Sequence, residues 1–134
     1  MIGHHDALIY SMVLVSASDG DMTDAELHAI GDIVKHLPIF RGFDLATLAA
    51  TAADCAELLA DPDGLDKAGD LILAALPEKL RESAYALACE VAAADGNIHQ
   101  EELQLLGWLR DRLSIGRLES AAIERGTRAR YMIL

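Results

Sequence analysis

The chain has few aromatic residues, few basic residues and no long apolar run. Aromatic side chains make up 4% of the 134 residues, and 11 basic residues stand against 22 acidic ones. The net charge of −11 argues against a nucleic-acid partner, because phosphates would be repelled. No apolar run reaches the roughly 18 residues that indicate a membrane span, and the N-terminus lacks the pattern of a signal peptide. We therefore expect a cytoplasmic protein.

Motifs that carry catalysis are also missing. The five histidines and two cysteines show no spacing typical of zinc ligands, and no glycine pattern fits a phosphate-binding loop. Cys55 and Cys89 fall at apolar helical positions, so we expect both to be buried free thiols. No serine lies in a nucleophile motif. The sequence therefore contains none of these motifs for catalysis.

The abundant residue types favour helices. Apolar residues form 52% of the chain and are mostly alanine and leucine, which enter helices at little cost. Their spacing is helical, and no alternation is long enough for a strand. A chain of this length can bury one core, so we predict a single all-α domain over residues 1–134. About seven helices are expected, at about 3–18, 23–37, 44–60, 65–76, 77–94, 99–113 and 117–125.

Two segments of the chain match each other at a constant offset of 76 residues. Repeat one covers about 8–37, and repeat two covers about 84–113. Each consists of an apolar helix, an Asp-Gly turn and a second amphipathic helix. Such a gap-free match predicts two repeated helix-turn-helix units inside the domain.

The second helix of repeat one has a clear start. Thr23 and Glu26 have the spacing of a capping box, in which each side chain accepts a hydrogen bond from the other residue's backbone. Helical spacing then places four apolar residues inward, namely Leu27, Ile30, Val34 and Leu37.

The turn of each repeat gathers acidic residues. Carboxylate oxygens suit hard cations such as calcium or magnesium, and the turn looks like the second half of an EF-hand loop. The positions of the earliest EF-hand ligands hold apolar residues, so any divalent cation would be bound weakly. The candidate metal-binding residues are Asp19, Asp21, Glu26, Asp95 and Glu102.

Helix capping is a competing explanation for these acids. A cap accounts for Thr23 and Glu26 without an ion. It accounts less well for Asp19 and Asp95, because each lies at the C-terminal end of a helix, where the macrodipole disfavours a negative charge by about 0.3–1 kcal/mol. Three interpretations stay open, namely capping alone, a weak cation site, and an acidic surface that docks a partner. A carboxylate-based enzyme or small-molecule binder, with a pocket between the repeats, is a weaker alternative.

The C-terminal part has the opposite charge to the rest. Residues 110–134 hold six arginines and three acids, whereas residues 1–109 hold 19 acids and five bases. This segment would contact an unknown acidic protein partner or an anionic membrane surface, or fold back on the acidic body. A pure protein-interaction module is thus a further alternative.

The motif of repeat two resembles that of the tellurite-resistance TerB family. Residues 93–102 fit the typical form A-A-D-G-x-[IV]-x-x-x-E, and the D-G-D-M-T-D-A-E version at residues 19–26 is similar. The resemblance extends over about 8–113. It differs at His99-Gln100, where small capping residues or proline are common.

This resemblance implies an all-helical fold with two central helix-pair repeats. It also implies a bacterial cytoplasmic or membrane-peripheral protein that is not an enzyme and is tied to tellurite or other chemical stress. The family is associated with an acidic surface and divalent-cation binding. The acidic motif positions correspond here to Asp19, Glu26, Asp95 and Glu102.

Overall fold

In the computed structural model, the protein is built from α-helices. The structure describes residues 2–17, 22–94, 96 and 98–134, and within these ranges there are seven α-helices, three short 3₁₀ turns and no strand. The predicted all-α class is confirmed. The helices are α1 (His4–Ser16), α2 (Asp24–His36), α3 (Leu48–Leu59), α4 (Gly64–Ala75), α5 (Arg81–Ala93), α6 (Gln100–Arg112) and α7 (Arg117–Arg130), with 3₁₀ turns at Pro38–Phe40, Leu45–Thr47 and Glu78–Leu80.

Helices α1 and α5 form the centre of the core. They pack against each other, α1 also packs against α3 and α4, and α5 also packs against α7. Every residue of α1 from Ala7 to Ser16 is buried. The apolar residues of α1 therefore surround the whole helix, as expected for a helix enclosed on all sides. No helix in the described part of the chain is long and apolar enough to cross a membrane.

Helices α2 and α6 lie on the outside of this pair, α2 against α5 and α6 against α1. Ile30 and Val34 of α2 are buried as predicted, but Leu27 is 50% exposed and Leu37 is 36% exposed. The inward placement of these two leucines is wrong. Leu27 lies about 100° around the helix from the buried Glu26, and Leu37 follows the last helical residue.

Helix α7 is longer than its sequence pattern predicts. It continues through Gly126 to Arg130 instead of ending near Arg125, and it packs against α5. This packing offsets the roughly 1 kcal/mol by which glycine disfavours a helix interior. The tail beyond α7 is exposed, with Ile133 at 87%.

Arg112 ties α6 to α4. Its guanidinium pairs with Asp70 and lies 3.7 Å from Asp66, and it sits over the ring of Trp108 at 5.7 Å. Gly69 of α4 faces this pair so closely that a Cβ there would stand 2.9 Å from Trp108 Cη2. Trp108 is thus a half-buried packing residue.

Candidate functional site

The turn of repeat one leads into a helix that begins with a complete capping box. The Thr23 amide donates to Glu26 Oε1 at 2.9 Å, and the Glu26 amide donates to Thr23 Oγ1 at 3.1 Å. The predicted cap is confirmed. Glu26 is only 3% exposed, so its carboxylate is a buried part of the helix start and not a free surface charge.

The turn of repeat two leads into a similar helix start. The His99 amide donates to Glu102 Oε1 at 3.1 Å, and Glu102 is 2% exposed. His99 stands at the N-cap position that Thr23 occupies in α2. The next residue in each helix, Leu27 and Leu103, is 50% exposed in both cases. Residues 76 positions apart therefore have matching environments here, while the repeat itself stays a prediction from the sequence.

Three of the five predicted metal-binding residues, Asp19, Asp21 and Asp95, lie outside the described residues. The other two, Glu26 and Glu102, occupy the third position of α2 and α6, where the helix macrodipole favours a carboxylate. Among the residues that the structure describes, no group of three or more His, Cys, Asp and Glu side chains could hold a metal ion.

A cavity of mixed polar and apolar lining lies beside α2. It has a volume of about 480 Å³ and is lined by His28, Asp32 and His36 of α2 and by Glu90 of α5. His28 Nε2 is 3.2 Å from Asp32 Oδ2, and Glu90 Oε1 is 2.5 Å from Arg130 Nη2. Both histidines are exposed.

A second, more apolar cavity of about 510 Å³ opens between α5, α6 and α7. At one side of it, the buried Tyr85 hydroxyl donates to Glu124 Oε2 at 2.5 Å, and Arg110 Nη1 lies 3.6 Å from the same oxygen. Burial, and then the hydrogen bond to Glu124, raise the pKa of Tyr85. Nothing in the sequence predicts this cluster, because it depends on which helix α7 packs against.

The two thiols are not nucleophiles. Both cysteines are free and buried, as predicted. Burial raises the pKa of Cys55 to about 12 and that of Cys89 to about 11. Since the thiolate is the reactive form of cysteine, both side chains stay protonated and inert near neutral pH.

Comparison with known proteins agrees with the motif of the two turns. The model of a family described as "Tellurite resistance protein TerB" matches residues 5–125, which is most of the chain. Searches of curated proteins and of solved structures found no match. The matched range runs from the start of α1 into α7, so it includes both acidic turns and both glutamate caps. The chain therefore belongs to the TerB family of tellurite resistance proteins.

Proposed function

We propose that this protein is a non-enzymatic, tellurite-resistance-associated protein of the cytoplasm whose acidic turns bind a divalent cation weakly. The observation that carries the proposal is that each acidic turn leads into a helix whose N-cap amide is bonded by a buried glutamate. Glu26 accepts from the Thr23 amide at the start of α2, and Glu102 accepts from the His99 amide at the start of α6. Since glutamates satisfy these two amides, we assign the aspartates of the turns to a cation.

The chemistry of the turns supports a hard cation. Asp19, Asp21 and Asp95 supply oxygen ligands of the kind that calcium and magnesium prefer. In the sequence, Asp19 follows α1 and Asp95 follows α5. We therefore expect both near a helix C-terminus, where the macrodipole disfavours negative charge. A bound cation removes that penalty. Few carboxylates are present in each turn, so weak binding is expected.

Docking of a partner is the second candidate. The net charge of −11 and the acids at the starts of α2 and α6 favour a basic protein surface. The arginines of α7 favour contact with an anionic membrane surface instead, which would make the protein membrane-peripheral. Both forms of docking depend on charge and weaken as salt rises.

Isothermal titration with calcium and with magnesium tests the cation. The wild type is expected to bind in the millimolar range or tighter, and Asp19→Asn/Asp95→Asn is expected to lose that binding. The matched control is Asp61→Asn/Asp63→Asn, which removes two charges from an exposed turn outside the repeats. Equal binding by wild type and Asp19→Asn/Asp95→Asn, or no binding by either, would reject the cation and leave docking as the function of the turns.

A further inference from the structure

We propose that the cavity between α5, α6 and α7 is a binding site for a small amphipathic carboxylate, such as a medium-chain fatty acid. Its volume of about 510 Å³ lies within the roughly 300–1,000 Å³ range of small-molecule sites. The cavity borders the second acidic turn, because Gly96 and Ile98 line it. The inference uses none of the turn aspartates and does not depend on the proposed function.

The cavity exists because α6 and α7 are held at some distance from each other. Both helices pack against α5. Four residues, 113–116, join them, and the ion pair of Arg110 with Glu124 closes one end of the space between them. From this ion pair, α6 leads back to Leu103 and α7 leads on to Tyr131, seven residues in each case. At 1.5 Å per residue, the groove extends roughly 10 Å from the ion pair.

The lining changes from polar to apolar along that length. Arg110 and Glu124 line the end with the ion pair, and Arg128 lies about one helical turn further along α7. The other lining residues include Ile98, Leu103 and Ile133, which are further from the ion pair along the chain. These three apolar side chains are 39%, 50% and 87% exposed. A bound hydrocarbon chain would remove their apolar surface from water, which is the main source of affinity for such a ligand.

The charge at the polar end favours an anion. Glu124 accepts the Tyr85 hydrogen bond and is paired with Arg110, so its charge is offset within the protein. Arg128 lines the same cavity, is exposed, and forms no ion pair with any residue in the described ranges. Its guanidinium is therefore free to bind a carboxylate, which it can do with two parallel hydrogen bonds.

Gly107 provides a way to fill the cavity without disturbing the fold. It lies on α6 and lines the groove, and a Cβ there would meet only Arg110 Nη2, at an ordinary 3.6 Å. Gly107→Leu therefore places a side chain in the space that the ligand would occupy. Gly126→Leu is the matched control, because Gly126 lies on α7 outside the cavity lining and a Cβ there would meet nothing within 4 Å.

The experiment is isothermal titration of the full chain with decanoate. We expect saturable binding at one site, about tenfold weaker binding by Gly107→Leu, and an unchanged constant for Gly126→Leu. Absence of saturable binding to the wild type, or equal affinity in Gly107→Leu, would overturn the proposal.

Two further comparisons test the orientation of the ligand. Arg128→Gln should weaken decanoate binding several-fold while leaving decan-1-ol binding unchanged, and Arg125→Gln, on the same helix but outside the lining, should change neither. Equal effects of the two arginine variants would overturn the placement of the carboxylate.

A second pair of variants tests the apolar end if Gly107→Leu does not fold. Leu103→Glu puts a carboxylate where the hydrocarbon chain would lie and should abolish decanoate binding. Leu27→Glu changes an equally exposed leucine that does not line the cavity and should have no effect. Undiminished binding by Leu103→Glu would also reject the site.

Discussion

Glu26 and Thr23 exchange two hydrogen bonds, 2.9 Å from the Thr23 amide to the Glu26 carboxylate and 3.1 Å from the Glu26 amide to the Thr23 hydroxyl. This exchange fixes the point at which the first acidic turn becomes α2. Glu102 accepts from the His99 amide at the start of α6 in a similar way. The helices after both turns therefore begin at a fixed residue, which positions the chain beside the turns.

Removing the hydroxyl of the first cap should destabilise the protein. Thr23→Ala leaves the Glu26 amide without its acceptor, and the free energy of unfolding should fall by about 1 kcal/mol. Thr23→Ser keeps an oxygen at the same place, so the free energy of unfolding should fall by only a few tenths of that amount. Urea denaturation measures both variants. Equal stability of the alanine variant and the wild type would show that the cap contributes nothing.

The buried thiol of Cys55 should make stability fall at alkaline pH. Its pKa is about 12 in the folded protein but near 9 once unfolding exposes it to water. Since the folded pKa is the higher one, the stabilisation is complete below pH 9 and is lost as pH rises towards 12, by about 1.4 kcal/mol per pH unit.

Comparison with Cys55→Ala isolates this contribution, because other alkaline effects act on both proteins. Urea denaturation at pH 9 and at pH 10.5 should show a larger loss for the wild type than for the variant. Parallel losses in the two proteins would mean that Cys55 does not titrate as its burial predicts.

Two helical glycines should respond differently to alanine. At Gly31 of α2 a Cβ would meet nothing within 4 Å, so Gly31→Ala should stabilise the protein by up to about 1 kcal/mol through helix propensity. At Gly69 the new methyl group would stand 2.8 Å from Arg112 Nη1 and 2.9 Å from Trp108 Cη2. Gly69→Ala should therefore lose most or all of that gain. Thermal melts of both variants measure this difference in stability. An equal gain in stability at the two sites would contradict the close packing of α4 and α6.

The tyrosine hydroxyls at the two cavities should contribute different amounts to the free energy of unfolding. Tyr85 is buried and donates to Glu124 at 2.5 Å, whereas Tyr131 is exposed and its hydroxyl is 3.5 Å from Glu90. Tyr85→Phe should cost about 1 kcal/mol of stability, because Glu124 is partly solvated. Tyr131→Phe should cost less than about 0.5 kcal/mol. If chemical denaturation shows a smaller loss of stability for Tyr85→Phe than for Tyr131→Phe, the predicted order of the two hydroxyls is wrong.

Local signals predicted much of the fold. The spacing of Thr23 and Glu26 gave the start of α2, and Pro38 marked its end within two residues. Failures occurred where tertiary packing decided the outcome. Leu27 fits a helical stripe but is 50% exposed in the folded protein, and α7, which packs on α5, continues past its predicted end near Arg125.

The candidate sites were predictable to different degrees. The glutamate caps follow from residue spacing within a single turn of helix, so the capping role of Glu26 was predicted correctly from the sequence. Its role as a metal ligand stays a prediction. The cluster of Tyr85, Arg110 and Glu124 joins three helices that are far apart along the chain. Amphipathic periodicity says which face of a helix is buried, but it does not say which partner helix covers that face.

The measurement that tests the central claim most directly is the thermal stability of the protein in calcium and in magnesium, at ionic strength matched with sodium chloride. A cation at about ten times its dissociation constant should add roughly 1.4 kcal/mol, which raises the melting temperature by several degrees. We expect this rise in the wild type and in Asp61→Asn/Asp63→Asn, and its absence in Asp19→Asn/Asp95→Asn. The same rise in all three proteins, or in none of them, would contradict a cation site at the acidic turns.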